Sequence, residues 1–200
     1  MIAWIIGIAQ KSQLYDRIIV STDDAEISNI AQQYGAEVPR LRAEGFADDV
    51  TSVMDVVVKD IIDFNIEDNI VCMLYATAAG LLASDLVDAY EKFRSAVDAD
   101  YSMGVTEFAH PVQRRVNFNN EFIEMSDPNF SMVRTQDLEP YYHDAGQFIF
   151  GYKTSWLQKK SVWSAKTTGH ILPSHRAIDI DTEDDWKRAE VSLGNILSNV

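Results

Sequence analysis

The sequence is poor in cysteine and in basic residues, and it has no long apolar run. Cys72 is the one cysteine among 200 residues. A single thiol cannot close an internal disulfide, so a disulfide-stapled secreted scaffold is excluded and a cytoplasmic protein is expected. Cys72 lies in the apolar run 69–75 with no base nearby in sequence, and it reads as small core filler. Lysine and arginine number 17 against 31 acidic residues, a formal net charge of −14. Such a surface repels nucleic-acid backbones and anionic membranes, so neither is expected as a partner. A polyanionic ligand would need local basic groups or a metal to approach. No apolar stretch reaches the roughly 20 residues of a membrane span. Residues 1–9 are apolar but follow no basic region, which makes a poor signal peptide; they read as the buried face of a helix ending near Lys11. There is no Gly-x-Ser-x-Gly element and no Walker loop. His143 has no His or Cys at metal spacing, which argues against zinc.

With 46% hydrophobic content, the length suits one domain with one core of ordinary size. After the first helix, residues 17–22 read as a strand with Ile18, Ile19 and Val20 continuous, as when both faces are buried. Thr22-Asp23-Asp24 ends it and caps a helix over 25–34, stopped by Gly35. A short strand at Glu37 and Val38 and a loop over 40–50 precede a helix over 51–64. Residues 69–75 look like a central strand. Ser84 is placed to cap a helix over 85–97, and 101–108 is again a strand. This alternation predicts an α/β fold with a parallel sheet and helices on both sides. The pattern then changes. Residues 112–118 and 121–125, joined by Asn119-Asn120, predict a hairpin within an insert of about 105–142. A strand over 146–152, a short helix over 156–160, an extended segment over 171–181 and a helix over 183–199 complete the chain.

The most chemical stretch is Arg176-Ala-Ile-Asp-Ile-Asp-Thr-Glu-Asp-Asp-Trp186. Ile178 and Ile180 alternate with Asp179 and Asp181, so both carboxylates should face one way and both isoleucines the core. Thr182 with Asp185 matches a reciprocal helix cap. Two hard-oxygen ligands where a strand gives way to a helix suit Mg²⁺ and a nucleotide triphosphate; a solvated acidic turn with a good cap accounts for the same pattern. Asp23 and Asp24 end another strand and belong to the same sheet edge, though capping alone explains one of them. Arg42, Asp49 and Thr51 share the next loop. Tyr75-Ala-Thr77-Ala78 ends a strand with small residues that let a ligand lie near the backbone. Arg114, Arg115 and Arg134 are the basic groups of the insert available to an anionic ligand, or plain solvated charges.

Together these segments resemble the acylneuraminate cytidylyltransferases, the CMP-sugar synthetases for nine-carbon sugar acids. The resemblance rests on Tyr15-Asp-Arg-Ile-Ile-Val-Ser-Thr-Asp23, Tyr34-Gly-Ala-Glu-Val38, Leu41-Arg42, Asp49-x-Thr51 and Asp179-Ile-Asp-Thr182. It runs along nearly the whole chain. Leu74-Tyr-Ala-Thr-Ala78, Val105-Thr-Glu-Phe108, Gln136-Asp-Leu-Glu-Pro140 and His143-Asp-Ala-Gly-Gln147 look most like the pseudaminic acid branch. The resemblance implies a Rossmann-like nucleotide-diphospho-sugar transferase fold with a hairpin dimerisation element. It implies that CTP and a nonulosonic acid give the CMP-sugar and pyrophosphate, with Mg²⁺ as cofactor. Asp179 and Asp181 would hold the metal, and Arg42, Thr51 and Asp23 would lie at the nucleotide. Tyr75, Thr77 and Gln147 would face the sugar, with Arg134 and Arg114 reaching a site in a homodimer. Sialic acid or Kdo is the alternative substrate, and a non-catalytic remnant the alternative role. Two departures carry consequences. Met1-Ile-Ala-Trp4 resembles the segment that follows the family's first strand and phosphate loop, so this chain is expected to bind CTP weakly and turn over poorly. Ala79-Gly80 stands where Pro-Phe is usual, which alters the sugar-side loop.

Overall fold

The computed structural model describes residues 1–46 and 50–197, with side chains described as far as Gly194. Helix α1 spans Ile2–Ser12, and its apolar side buries Ile5, Ile6, Ile8 and Ala9. Helix α2 (Ala25–Gln33) starts at Asp24, whose carboxylate accepts from the Glu26 and Ile27 N–H groups at 2.7 and 2.9 Å. Helix α3 (Val53–Asp63) is capped by Ser52 and leads to strand β1 (Ile70–Leu74). Helix α4 (Ala83–Ser95) and strand β2 (Tyr101–Glu107) follow. The hairpin is real: β3 (Val116–Asn119) pairs with β4 (Phe122–Met125), and Asn120 supplies the positive φ of the turn. Strand β5 (Tyr142–Tyr152), helix α5 (Lys153–Leu157), strand β6 (Thr167–Ile171) and helix α6 (Glu183–Leu197) finish the fold.

The main sheet has the order β1-β5-β2-β6. Strand β5 runs antiparallel to both β1 and β2, while β6 is parallel to β2. Three strands therefore share one direction and β5 lies reversed between two of them, so the sheet is mixed. Helices cover both faces, as the alternation implied. On one face Ile5, Ile8, Leu86, Ala89 and Phe93 pack on Phe148 and Phe150. On the other, Val58, Ile61 and Trp156 pack with Tyr101, Val71 and Met73.

Four local expectations are corrected. Residues 17–22 form no strand; one parallel bridge joins Ile19 to Glu37. Strand β1 is an edge of the main sheet, not central. The N-cap of α4 is Leu82 rather than Ser84, and its N–H donates to the Asp85 carboxylate at 2.9 Å. The last strand is β6, which ends at Ile171; residues 172–181 lie outside the sheet. The period of two persists there because Ile178 and Ile180 pack against α6 with Ala189 and Leu193, not because a neighbouring strand pairs with them.

Candidate active site

The acidic segment is built by that packing. Ile178 is 4% exposed, whereas Asp179 and Asp181 both face solvent. Thr182 donates from N and Oγ1 to the Asp185 carboxylate at 3.0 and 2.7 Å, and the Asp185 N–H returns a bond to Thr182 Oγ1 at 3.2 Å. This reciprocal cap fixes where α6 begins. The Asp179 pKa is raised, first by partial burial and then by the negative charges of Asp181, Asp144 and Asp185. Tyr75 is raised by burial and by Asp144 and Asp179. The end of β1, the start of β5 and the segment before α6 thus converge on one acidic group.

Gly146 makes the approach possible. Its φ is +61°, and a Cβ there would lie 2.8 Å from an Asp179 carboxylate oxygen. Its N–H donates to Asp144 Oδ1 at 2.9 Å. Next to it Gln147 is fully buried, and its amide nitrogen donates to the Ala145 and Ile178 carbonyls at 3.0 and 3.4 Å. Gln147 therefore braces the acidic segment, while its Oε1 is buried without a protein partner. Gly146→Ala is expected to cost about 1–2 kcal/mol for the left-handed backbone and to lower turnover more than that loss of stability implies. Urea denaturation beside an activity assay checks this; an unchanged rate would mean that Asp179 is not used where it stands.

A second group assembles around Arg42. Its N–H donates to the Thr22 carbonyl at 2.7 Å, and its guanidinium lies 3.6 Å from the Asp23 carboxylate. Among the described residues its buried Nε has no hydrogen-bond partner. Asp49 lies outside the described residues. Arg42, Thr51 and Tyr75 line one slot of about 960 Å³, which Ile18 and Val20 on one side and Val71 and Met73 on the other also line. Both walls present backbone to it. The β1–β5 register, with Tyr75 N donating to Gln147 O at 3.1 Å, directs the polar groups of Ile70, Cys72 and Leu74 away from β5. Opposite, Val20 and Ile18 bond to Glu37, which leaves the Ile19 peptide groups facing the slot.

Arg114 and Arg134 are not brought to either group by the contacts they make. Arg114 bonds to Val133 O and Thr135 Oγ1, and Arg134 pairs with Asp137 at 2.8 Å. Thr77 stays half-buried beside Tyr75 in the loop after β1.

A buried pair escaped the sequence reading. Arg176 donates to both oxygens of Asp85 at 2.6 and 2.9 Å and to the Gly80 carbonyl at 3.0 Å, with His170 Nε2 3.5 Å from the same carboxylate. The partners are 91 residues apart, and Asp85 in sequence signals only a helix start. Burial would raise the Asp85 pKa, but Arg176, His170 and the Leu82 N–H outweigh it and hold the carboxyl well below its ordinary value. A depressed carboxylate stabilises the fold fully above its unfolded pKa, about 3.9, and that contribution is lost as pH falls through the folded value. Melting temperature should therefore fall below about pH 4, and Asp85→Asn should flatten that part of the profile. An unchanged acid limb in the variant would remove Asp85 from the explanation.

The cytidylyltransferase family model matches residues 1–150, three quarters of the chain. The chain belongs to the cytidylyltransferase family. This cytidylyltransferase is a nucleotidyltransferase enzyme. It is 36% identical over 195 residues to pseudaminic acid cytidylyltransferase of Campylobacter jejuni, covering 96% of this chain and 84% of that protein. It is 33% identical over 205 residues to the CMP-N,N'-diacetyllegionaminic acid synthase of the same species, covering 98% and 86%. The solved structure of a CMP:2-keto-3-deoxy-manno-octonic acid synthetase complexed with CTP superposes with a TM-score of 0.69 at 12% identity, over 98% of this cytidylyltransferase and 88% of that chain. That likeness establishes the nucleotidyltransferase fold. Among the described residues no three His, Cys, Asp or Glu side chains form a metal cage. Two carboxylates suffice for a hard divalent ion that keeps water ligands and takes others from substrate phosphates. The raised Asp179 pKa marks a site where a cation would relieve repulsion. No described helix is long and apolar enough to cross a membrane.

Proposed function

We propose that this enzyme transfers the cytidylyl group of CTP to the anomeric hydroxyl of pseudaminic acid, with Mg²⁺ held by Asp179 and Asp181. The observation that carries this reading is the 36% identity to a pseudaminic acid cytidylyltransferase over almost the whole chain. The convergence of Tyr75, Asp144 and Asp179 supports it. The anomeric oxygen forms a bond to the α-phosphorus, the α–β bridging P–O bond breaks, pyrophosphate leaves, and the hydroxyl proton passes to water. The bound cation offsets charge on the phosphates. Asp179 and Asp181 orient that end of the nucleotide. Arg42, Thr51 and Asp23 hold the cytidine end, Tyr75 and Thr77 border the sugar, and Gln147 fixes the backbone between them. Pyrophosphate release with pseudaminic acid, N,N'-diacetyllegionaminic acid, sialic acid and Kdo tests the substrate. The rate should be highest with pseudaminic acid; a higher rate with another acid would reassign it.

The single domain with its insert over about 105–142 is proposed to work as a homodimer. The hairpin register puts Val116, Phe118, Ile123 and Met125 on one face, and Phe118 and Ile123 are 76% and 65% exposed. An apolar face of this kind on a two-stranded ribbon favours a partner surface. In that arrangement Arg114 and Arg134 serve the sugar site of the other subunit. Light scattering should give twice the chain mass, and Phe118→Asp with Ile123→Asp should give one chain mass. A wild-type monomer would contradict this.

The slot beside β1 fits an extended segment that bonds to both walls.

A further inference from the structure

We infer that Asp85 and Arg176 are positioning residues that set the place of the Asp179 and Asp181 carboxylates. The inference rests on the reading of those carboxylates as metal ligands. The segment that carries them has no sheet ladder to hold it. Leu172 N donates to Val105 O at 2.8 Å, and a turn then closes as the N–H groups of Arg176 and Ala177 reach Pro173 O at 2.9 and 3.1 Å. Beyond that turn the backbone is held at few points. One is the Gln147 amide on the Ile178 carbonyl. The turn itself is anchored by the Arg176 guanidinium, which is bidentate to Asp85 and also reaches Gly80 O.

The pair is nearly dry, with side chains 11% and 9% exposed. A buried ion pair contributes little net stability against an apolar replacement, so its value lies in where it holds the chain. Here it joins four segments: the start of α4 through Leu82 and Asp85, β6 through His170, the loop after β1 through Gly80, and the turn at Arg176. Gly80 brings the contact to its limit, since a Cβ there would lie 2.0 Å from the Arg176 carbonyl oxygen. The clamp therefore ties the loop that begins at Tyr75 to the segment that ends at Asp181.

Mn²⁺ binding, followed by water-proton relaxation well below the melting temperature, tests the inference. The variants are Arg176→Lys, Asp85→Asn and Asp179→Asn, with Val58→Ala as a core-weakening control on the other face of the sheet. Lysine keeps the charge of arginine but loses the two-pronged geometry. Arg176→Lys and Asp85→Asn should each weaken Mn²⁺ about tenfold, as loss of a ligand's supporting contacts does. The Mg²⁺ concentration for half-maximal turnover should rise to match. Asp179→Asn should weaken Mn²⁺ further, and Val58→Ala should leave it unchanged despite a lower melting temperature. Wild-type Mn²⁺ affinity in Arg176→Lys and Asp85→Asn, with affinity lost in Asp179→Asn, would overturn the clamp and leave the ligand assignment standing. Wild-type affinity in Asp179→Asn would overturn both. A fall in Val58→Ala equal to that in Arg176→Lys would reduce the pair to general stability and overturn the clamp.

Discussion

Asp179→Asn and Asp181→Asn are each expected to slow cytidylyl transfer by about 10²–10³-fold without lowering the melting temperature. A metal that offsets charge on the phosphates supplies several kcal/mol, and each 1.36 kcal/mol is a factor of ten in rate. Asparagine keeps the volume but surrenders the charge that holds the ion. Stability should not suffer, because the Asp179 carboxylate is disfavoured where it stands: burial, Asp181, Asp144 and Asp185 all push its pKa up. Removing a charge held against repulsion leaves the fold unchanged or slightly firmer. Pyrophosphate release beside a thermal melt separates the two effects. Full activity in both variants would remove the metal assignment. A large fall in melting temperature would make these residues structural.

Of the glycine-to-alanine changes, Gly80→Ala should be the most disruptive. The new Cβ would lie 2.0 Å from Arg176 O, 2.8 Å from its carbonyl carbon and 3.0 Å from its Cα, all backbone atoms. No rotamer change can relieve that contact. Overpacking of this kind costs about 1–3 kcal/mol or more, and relief requires the Arg176 turn to retreat, which should also slow turnover. Gly7→Ala is the internal comparison. No heavy atom lies within 4 Å of a Cβ at Gly7, in the middle of α1. Its loss of backbone freedom should stabilise the protein by roughly 0.5–1 kcal/mol. Urea titrations of the two variants should shift in opposite directions. A wild-type midpoint for Gly80→Ala would mean that the loop after β1 is not seated on Arg176. The Ala79-Gly80 departure noted in the sequence therefore has a structural consequence, since a side chain at position 80 would meet the Arg176 backbone.

The parts of this protein that were legible in sequence are those whose cause is local. Asp24 and the Thr182–Asp185 cap announce their helices within three residues. Asn120 announces the β3–β4 turn, but one residue later than expected: Asn119 pairs with Phe122 in the ladder, and the turn is made by Asn120 and Glu121. The isoleucine–aspartate alternation gave the facing of the carboxylates correctly, because side-chain period follows from an extended backbone whatever covers it. It misassigned the cover, taking a sheet where α6 does the burying. Residues 17–22 look like a buried strand by composition, but a strand needs partners, and one bridge to Glu37 is what they have among the described residues. The reversed position of β5 left no local mark either. Apolar alternation is the same in both directions, and pairing is decided by where the insert over 105–142 returns the chain. Asp85 with Arg176 and Gly80 with Arg176 are contacts across more than 90 residues, and neither partner carries a sign of the other.

The most direct test of the whole account is the phosphorus NMR spectrum of a reaction containing CTP, Mg²⁺ and pseudaminic acid. The account predicts one new phosphodiester signal, that of CMP-pseudaminic acid, rising in step with pyrophosphate. No new phosphodiester signal, or pyrophosphate appearing with free CMP alone, would contradict it.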